Sequence, residues 1–297
     1  MGVGVLEPAL SALARGAMSR VLAEFPASEK AHPETHYRAI DVGGLEIFYR
    51  EAGPASAPVV LLLHGFPTSS RMFRNLIPIL SDKYRVIAPD YPAFGQSAVP
   101  SRTDFHYTQA HLSEVVEAFI GKLAITRFAM YLMDFGGPIG YRLMLKYPDR
   151  VTGVVVQNTP AFGEPIDGPL WGAELAYWKD GSPAHRDAVR SKLMPEAIRN
   201  QYIAGTREPS LIDPDNWTID SALLARPGVD EIMLDLLYDI RNNRQAVADA
   251  REFFRAHQRG HDRDRRQRPA FPGCQHEASR GDAGDRVPPN RQRSLRT

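Results

Sequence analysis

An α/β fold, a mostly parallel sheet with helices on both faces and a helical cap, is what this sequence predicts. Three observations carry the prediction. Continuous apolar runs of strand length alternate with amphipathic helical stretches, which is how parallel strands buried on both faces are written. Loops rich in glycine and proline follow those runs. From Pro160 onward, helical segments succeed one another with no buried-strand run between them.

Taken in order, Tyr37 to Asp41 and Leu45 to Glu51 alternate in polarity around Gly43-Gly44 and read as a hairpin. Val59 to Leu63, Tyr84 to Pro89 and Phe128 to Met133 are buried-strand runs, and Val151 to Val156 is a further strand. Between them, Leu112, Val115, Val116, Phe119 and Leu123 form one stripe of a helix over Thr108 to Leu123. Gly136 to Tyr147 is a second helix, stopped by Pro148. The predicted organisation is an N-terminal extension over 1–35, an α/β core over 36–159, a helical cap over 160–250 and an aberrant tail over 251–297.

Bulk properties narrow the function. With 297 residues, 43% of them hydrophobic, and a net charge of +1, the chain can bury a full core and is not built to bind a polyanion. No apolar run approaches the roughly 20 residues that span a bilayer. Met1 to Phe25 is rich in Ala and Leu without a cationic leader, a poor secretory signal. The single cysteine, Cys274, fits a reducing compartment, so a cytoplasmic location is expected. His106, His111 and His185 show no metal spacing, and no phosphate-cradling or dinucleotide motif appears. No metal and no cofactor are expected, and no nucleic-acid or membrane partner; the oligomeric state is not legible.

The chemistry centres on Leu132-Met133-Asp134-Phe135-Gly136-Gly137-Pro138, which follows an apolar strand and opens a helix. A nucleophile on such a turn projects above the sheet, and small residues after it let the helix approach. The Phe135 N–H then lies at a helix N-terminus, where it can stabilise an anion. Taken alone, Asp-x-Gly-Gly reads equally as a helix cap. Seventy residues upstream, however, His64-Gly65-Phe66-Pro67 follows the strand Val59 to Leu63, and its turn can aim the Phe66 N–H at the same place. Asp90-Tyr91-Pro92-Ala93-Phe94-Gly95-Gln96-Ser97 follows the strand ending at Pro89. Three loops thus leave the carboxyl ends of successive strands, where ligand sites form in such sheets.

Over about Tyr37 to Gln258 this ordered set resembles the α/β-hydrolase fold, and most closely its epoxide hydrolase and haloalkane dehalogenase branch. Leu132 stands where many members have a small residue. The resemblance implies that Asp134 attacks an electrophilic carbon of a small apolar substrate to give an alkyl ester, which a histidine paired with an acid then hydrolyses. His64 and Gly65 match the oxyanion loop, where the histidine is structural. Dehalogenases of this branch commonly hold halide with an indole N–H after the nucleophile and with Asn or Trp after the His-Gly pair. Here those positions are Phe135 and Phe66, without a side-chain donor. Epoxide hydrolases instead protonate the opening oxygen with cap tyrosines, for which Tyr202, Tyr177 and Tyr238 are candidates, Tyr202 slightly favoured; packing is the competing role of each. Trp171 and Trp178 are expected to line or roof the pocket. The alternatives are a haloalkane dehalogenase-like hydrolase, an ester or C–C hydrolase (disfavoured because an aspartate nucleophile would form an anhydride), and a non-catalytic pocket-binding protein.

The family's acid and histidine have no counterpart. Glu164 and Asp167 are the nearest carboxylates after the strand ending near Asn158, and His261 and His276 sit outside any strand-loop context. From Arg259 the chain has ten arginines, five acids, no lysine and one aromatic, Phe271. The preceding residues carry a net charge of about −4. The tail has no apolar period with which to build a packed face, so disorder is expected. Back-translating Arg259 to Pro269 with permitted codons and dropping one nucleotide allows Ala-Gly-Thr-Thr-Val-Ile-Val-Gly-Asn-Asp-Pro, a strand followed by an acid. The same shift over Asn290 to Thr297 allows Ile-Asp-Ser-Gly-His-Phe-Ala, a histidine loop. A frameshift near codon 258 is therefore expected, with the C-terminal strands missing and turnover impaired; a genuine basic tail is the competing reading.

Overall fold

The computed structural model describes residues 33–160 and 171–264. The expected extension over 1–35 falls almost wholly outside these residues, as do Glu164, Asp167 and the tail beyond Asp264.

β1 (His36–Val42) and β2 (Leu45–Ala52) form an antiparallel hairpin in which Val42 faces Leu45. Gly43 and Gly44 both take positive φ, as a two-residue turn between right-twisted strands demands. β3 (Val59–Leu63), β4 (Arg85–Pro89), β5 (Phe128–Met133) and β6 (Val151–Gln157) complete a six-stranded sheet in the order β1-β2-β4-β3-β5-β6. β4, β3, β5 and β6 are mutually parallel, and β2 joins them antiparallel through β4.

The helices between the strands bury the stripes that their sequences carry. α1 (Leu76–Ser81) packs with β4; α2 (Gln109–Lys122) is capped by the Thr108 hydroxyl, which accepts from the His111 N–H. Leu112, Val116, Phe119 and Ile120 of α2 are buried, as are Ile139, Leu143 and Met144 of α3 (Gly136–Lys146). Leu61, Leu62 and Leu63 are wholly inaccessible. β6 differs from them: among the described residues it is an edge strand, and its Val155 is 41% exposed.

After β6 the described residues are helical: α4 (Gly172–Asp180), α5 (Pro183–Arg190), α6 (Pro195–Ile203), α7 (Asp215–Leu224), α8 (Val229–Asp239) and α9 (Arg244–Asp264). Polar contacts dock this layer onto the core loops. Arg71 donates to Asn216 at 3.2 Å, Arg74 pairs with Asp213 at 3.2 Å, and Arg226 reaches the carbonyls of Gly95 and Ala93 at 3.0 and 2.9 Å. Asp239 accepts from the Gln109 N–H at 2.7 Å, tying the end of α8 to the start of α2. α9 runs from Arg244 to Asp264, across the boundary expected at 251 between cap and tail.

Candidate active site

β5 ends at Met133 and α3 starts at Gly136, so Asp134 and Phe135 make the whole turn. Asp134 has φ of 50°, a left-handed conformation that aspartate tolerates better than most residues. The turn closes only because its neighbours are small. A side-chain carbon on Gly136 would overlap the Leu63 carbonyl, one on Gly137 the Thr159 side chain, and one on Gly65 the side chain of Asp134. Leu132 is likewise accommodated by a glycine. Gly140, one turn into α3, leaves the space that the Leu132 methyl groups fill.

The Phe66 N–H donates to Asp134 Oδ1 at 3.0 Å and the Phe135 N–H donates to the same oxygen at 2.7 Å. Two amides from two loops thus grip one carboxylate oxygen, and among the described residues Oδ2 accepts no hydrogen bond. Burial pushes the carboxyl up to about 6, and the two amides pull it part of the way back. The surroundings are aromatic. The Phe66 and Phe135 rings lie 6.1 Å apart, and the Phe94 ring stands edge-on to Phe135 at 6.4 Å.

The other two loops are frames for this grip. His64 is fully buried: its Nδ1 lies 3.1 Å from the Gly65 carbonyl, and its Nε2 accepts from the Tyr91 N–H at 3.4 Å. With both nitrogens engaged, and burial lowering its pKa, His64 is a neutral structural ring stacked on Tyr91 at 4.1 Å. Asp90 accepts from the Ser70 and Gln96 N–H groups at 2.7 and 2.9 Å and so joins the β3 and β4 loops.

Of the cap candidates, the structure brings Tyr202 to the β3 loop. Its hydroxyl donates to Asp220, and the side chain of Thr68, two residues after Phe66, lowers the pKa of both groups. Burial and the Asp220 charge raise the Tyr202 pKa. Asp220 and Thr68 were not legible as site residues; the one available signal is a lone acid in the otherwise weakly polar run Trp217 to Leu224. Tyr177 and Tyr238 pair with each other, ring centroids 4.3 Å apart, inside the cap. Tyr177 accepts from Arg186 at 2.7 Å, and Arg241 covers the Tyr238 ring at 3.3 Å. Trp171 and Trp178 are neighbours at 5.8 Å, and the Trp178 indole N–H is spent on the Leu237 carbonyl at 2.8 Å. No described contact joins these four side chains to Asp134.

Ser182, His185 and Asp180 look like a second catalytic set, but the geometry is wrong. Ser182 and both Asp180 oxygens all meet the same nitrogen, Nδ1, at 2.9 to 3.1 Å. A relay needs one partner on each nitrogen. Ser182 is the N-cap of α5, with its hydroxyl accepting from the His185 N–H. Among the described residues, no group of three His, Cys, Asp or Glu side chains could hold a metal ion.

Comparison with known proteins identifies the family of the fold. Residues 58–197 match the alpha/beta hydrolase fold family. An uncharacterized hydrolase of Saccharomyces cerevisiae is 41% identical over 215 residues, 71% of this chain and 73% of that protein. A haloalkane dehalogenase of Psychrobacter cryohalolentis is 40% identical over 131 residues, 42% of this chain and 43% of that protein. Similar solved structures include the epoxide hydrolase CorEH (TM-score 0.58, 17% identity, 74% of this chain and 77% of that one). A haloalkane dehalogenase DbeA variant of Bradyrhizobium elkanii gives TM-score 0.58 at 23% identity, over 74% of this chain and 75% of that one. The chain belongs to the alpha/beta hydrolase fold family.

Proposed function

We propose that this chain is an epoxide hydrolase-type enzyme arrested at its covalent intermediate. The observation that carries the reading is the grip on Asp134: Oδ1 is fixed by two backbone amides, so Oδ2 is the oxygen left to attack. Attack on an epoxide carbon forms an ester bond at Oδ2 as the ring C–O bond breaks, and the ring oxygen takes a proton from a phenol, for which Tyr202 is the candidate we favour. The two amides then neutralise negative charge at Oδ1 when the ester is hydrolysed. Phe66 and Phe135 offer no side-chain donor to a halide, and the Trp178 N–H is already committed.

Hydrolysis of the ester needs a base, and His64 cannot serve, because both of its ring nitrogens are engaged. The composition of the tail supports a shifted reading frame near codon 258 that replaced the family's acid and histidine. The intermediate then accumulates instead of turning over. A small apolar epoxide should add its full mass to the protein once, with the label on Asp134. The nucleotide sequence across codons 255 to 262 tests the frame: an intact frame without strand and Asp/His signals removes the idea.

A haloalkane dehalogenase-like activity is the second reading, favoured by the names of the sequence relatives. Those matches cover 43% and 51% of the dehalogenases' own length. Halide release from an alkyl bromide, with no adduct from an epoxide, would establish it. A non-catalytic pocket-binding role would leave Asp134→Asn fully functional.

A further inference from the structure

Asp220 is a buried cap carboxyl that is only half satisfied. It is 1% exposed, its Oδ2 receives the Tyr202 hydroxyl, and the Thr68 side chain lowers the pKa of both residues. Its Oδ1 is buried with no hydrogen-bond partner, as is the neighbouring Ser221 hydroxyl. A full charge on a carboxylate with one bare buried oxygen is costly, and a proton on that carboxyl removes the cost. The pair also rests on the loop that grips Asp134, since Thr68 follows Phe66 by two residues.

The ionised pair is idle as an acid. While Asp220 is a carboxylate, the Tyr202 proton is donated to Oδ2. Once Asp220 is protonated, its O–H can donate to the phenol oxygen, and the phenol O–H is released to rotate towards the pocket. Resting on the reading of Tyr202 as the proton donor, we propose that Asp220 is a positioning residue that switches Tyr202 between an idle and a donating state. Proton balance is simple. The opening epoxide oxygen takes the phenol proton, the phenol takes the Asp220 proton, and the Asp220 carboxylate is reprotonated from solvent.

The groups facing Asp220 are known on each side. From the turn after β3, Arg71 and Arg74 favour its charged form. Arg199 of α6 is turned onto the Trp217 ring at 5.7 Å. On α8, Asp230, Glu231 and Asp235 are taken up by Arg190, Arg186 and Arg102. Burial outweighs the two arginines and pushes Asp220 up to about 6. Asp134, also about 6, must be ionised to attack. Epoxide opening therefore needs one carboxylate and one carboxylic acid and peaks near pH 6, falling on both sides. Displacement of halide needs no acid, so its rate rises through pH 6 and stays level.

The test is the rate of adduct formation on the full chain, followed by intact mass with styrene oxide and with 1-bromohexane between about pH 5 and 8.5. Wild type should give a bell for the epoxide and a sigmoid for the bromide. In Asp220→Asn, the amide donates to the phenol oxygen at every pH, so the alkaline fall disappears. At pH 8 about one wild-type molecule in a hundred carries the acid proton, so the variant should be up to about 100-fold faster with the epoxide and unchanged with the bromide. Equal losses with both electrophiles, or a bell that survives in Asp220→Asn, would overturn the proposal. If neither electrophile labels wild type, the functional reading fails instead. Carboxyl ¹³C NMR then decides the switch itself: Tyr202→Phe removes a donor and should raise the Asp220 midpoint, and an unmoved midpoint overturns it.

Discussion

A side-chain carbon on Gly65 would overlap the Cβ of Asp134, so the oxyanion loop and the nucleophile are in contact with no room between them. That closeness is what lets the Phe66 N–H reach Oδ1 at 3.0 Å. Gly65→Ala should push the loop away and lengthen that bond. The expected result is a slower reaction at Asp134, by about 10-fold or more, with overpacking costing about 1–3 kcal/mol of stability. Labelling kinetics together with urea melts measure both, and a variant that labels at the wild-type rate contradicts the geometry.

Asp134 also makes a prediction about stability and pH. Its folded pKa of about 6 lies above the ordinary value of 3.8, so the folded state holds the proton more tightly than the unfolded state. Stability from this group is therefore full below about pH 4 and is lost as pH rises through about 6. Asp134→Asn keeps an oxygen for the two amides and tolerates the left-handed backbone. It should be more stable than wild type above pH 6, by about 2–3 kcal/mol, and equal to it near pH 4. Denaturation at the two pH values checks this, and a variant less stable at pH 8 refutes it.

Leu132 and Gly140 should behave as one unit. Gly140→Ala alone forces the Leu132 methyl groups to move and should cost about 1–3 kcal/mol. Combined with Leu132→Ala, the same change should cost much less, a coupling of about 1 kcal/mol or more in a double-mutant cycle. Additive effects would mean that the two residues do not compete for the same space.

Ser182 is read as a cap and not a nucleophile. Ser182→Ala should lower stability by about 1 kcal/mol and leave labelling at Asp134 unchanged. Loss of labelling with stability intact would give this trio a chemical role.

Much of this arrangement was legible in the sequence. The hairpin at Gly43-Gly44, the leucine run at 61–63 and the strand-turn-helix around Asp134 are local patterns, each fixed by residues within a few positions of one another. The grip of Phe66 and Phe135 could be expected because each loop follows a strand in a known order. Asp220 could not, because its partners, Tyr202 and Thr68, lie 18 and 152 residues away and meet it only through packing of the cap.

The central claim is that Asp134 Oδ2 is a nucleophile whose ester this chain cannot release. Intact-mass measurement after exposure to a small apolar epoxide tests it most directly. A single, persistent adduct on Asp134, absent from Asp134→Asn, is the expected result. An unmodified protein, an adduct retained by Asp134→Asn, or rapid multiple turnover to diol would contradict it.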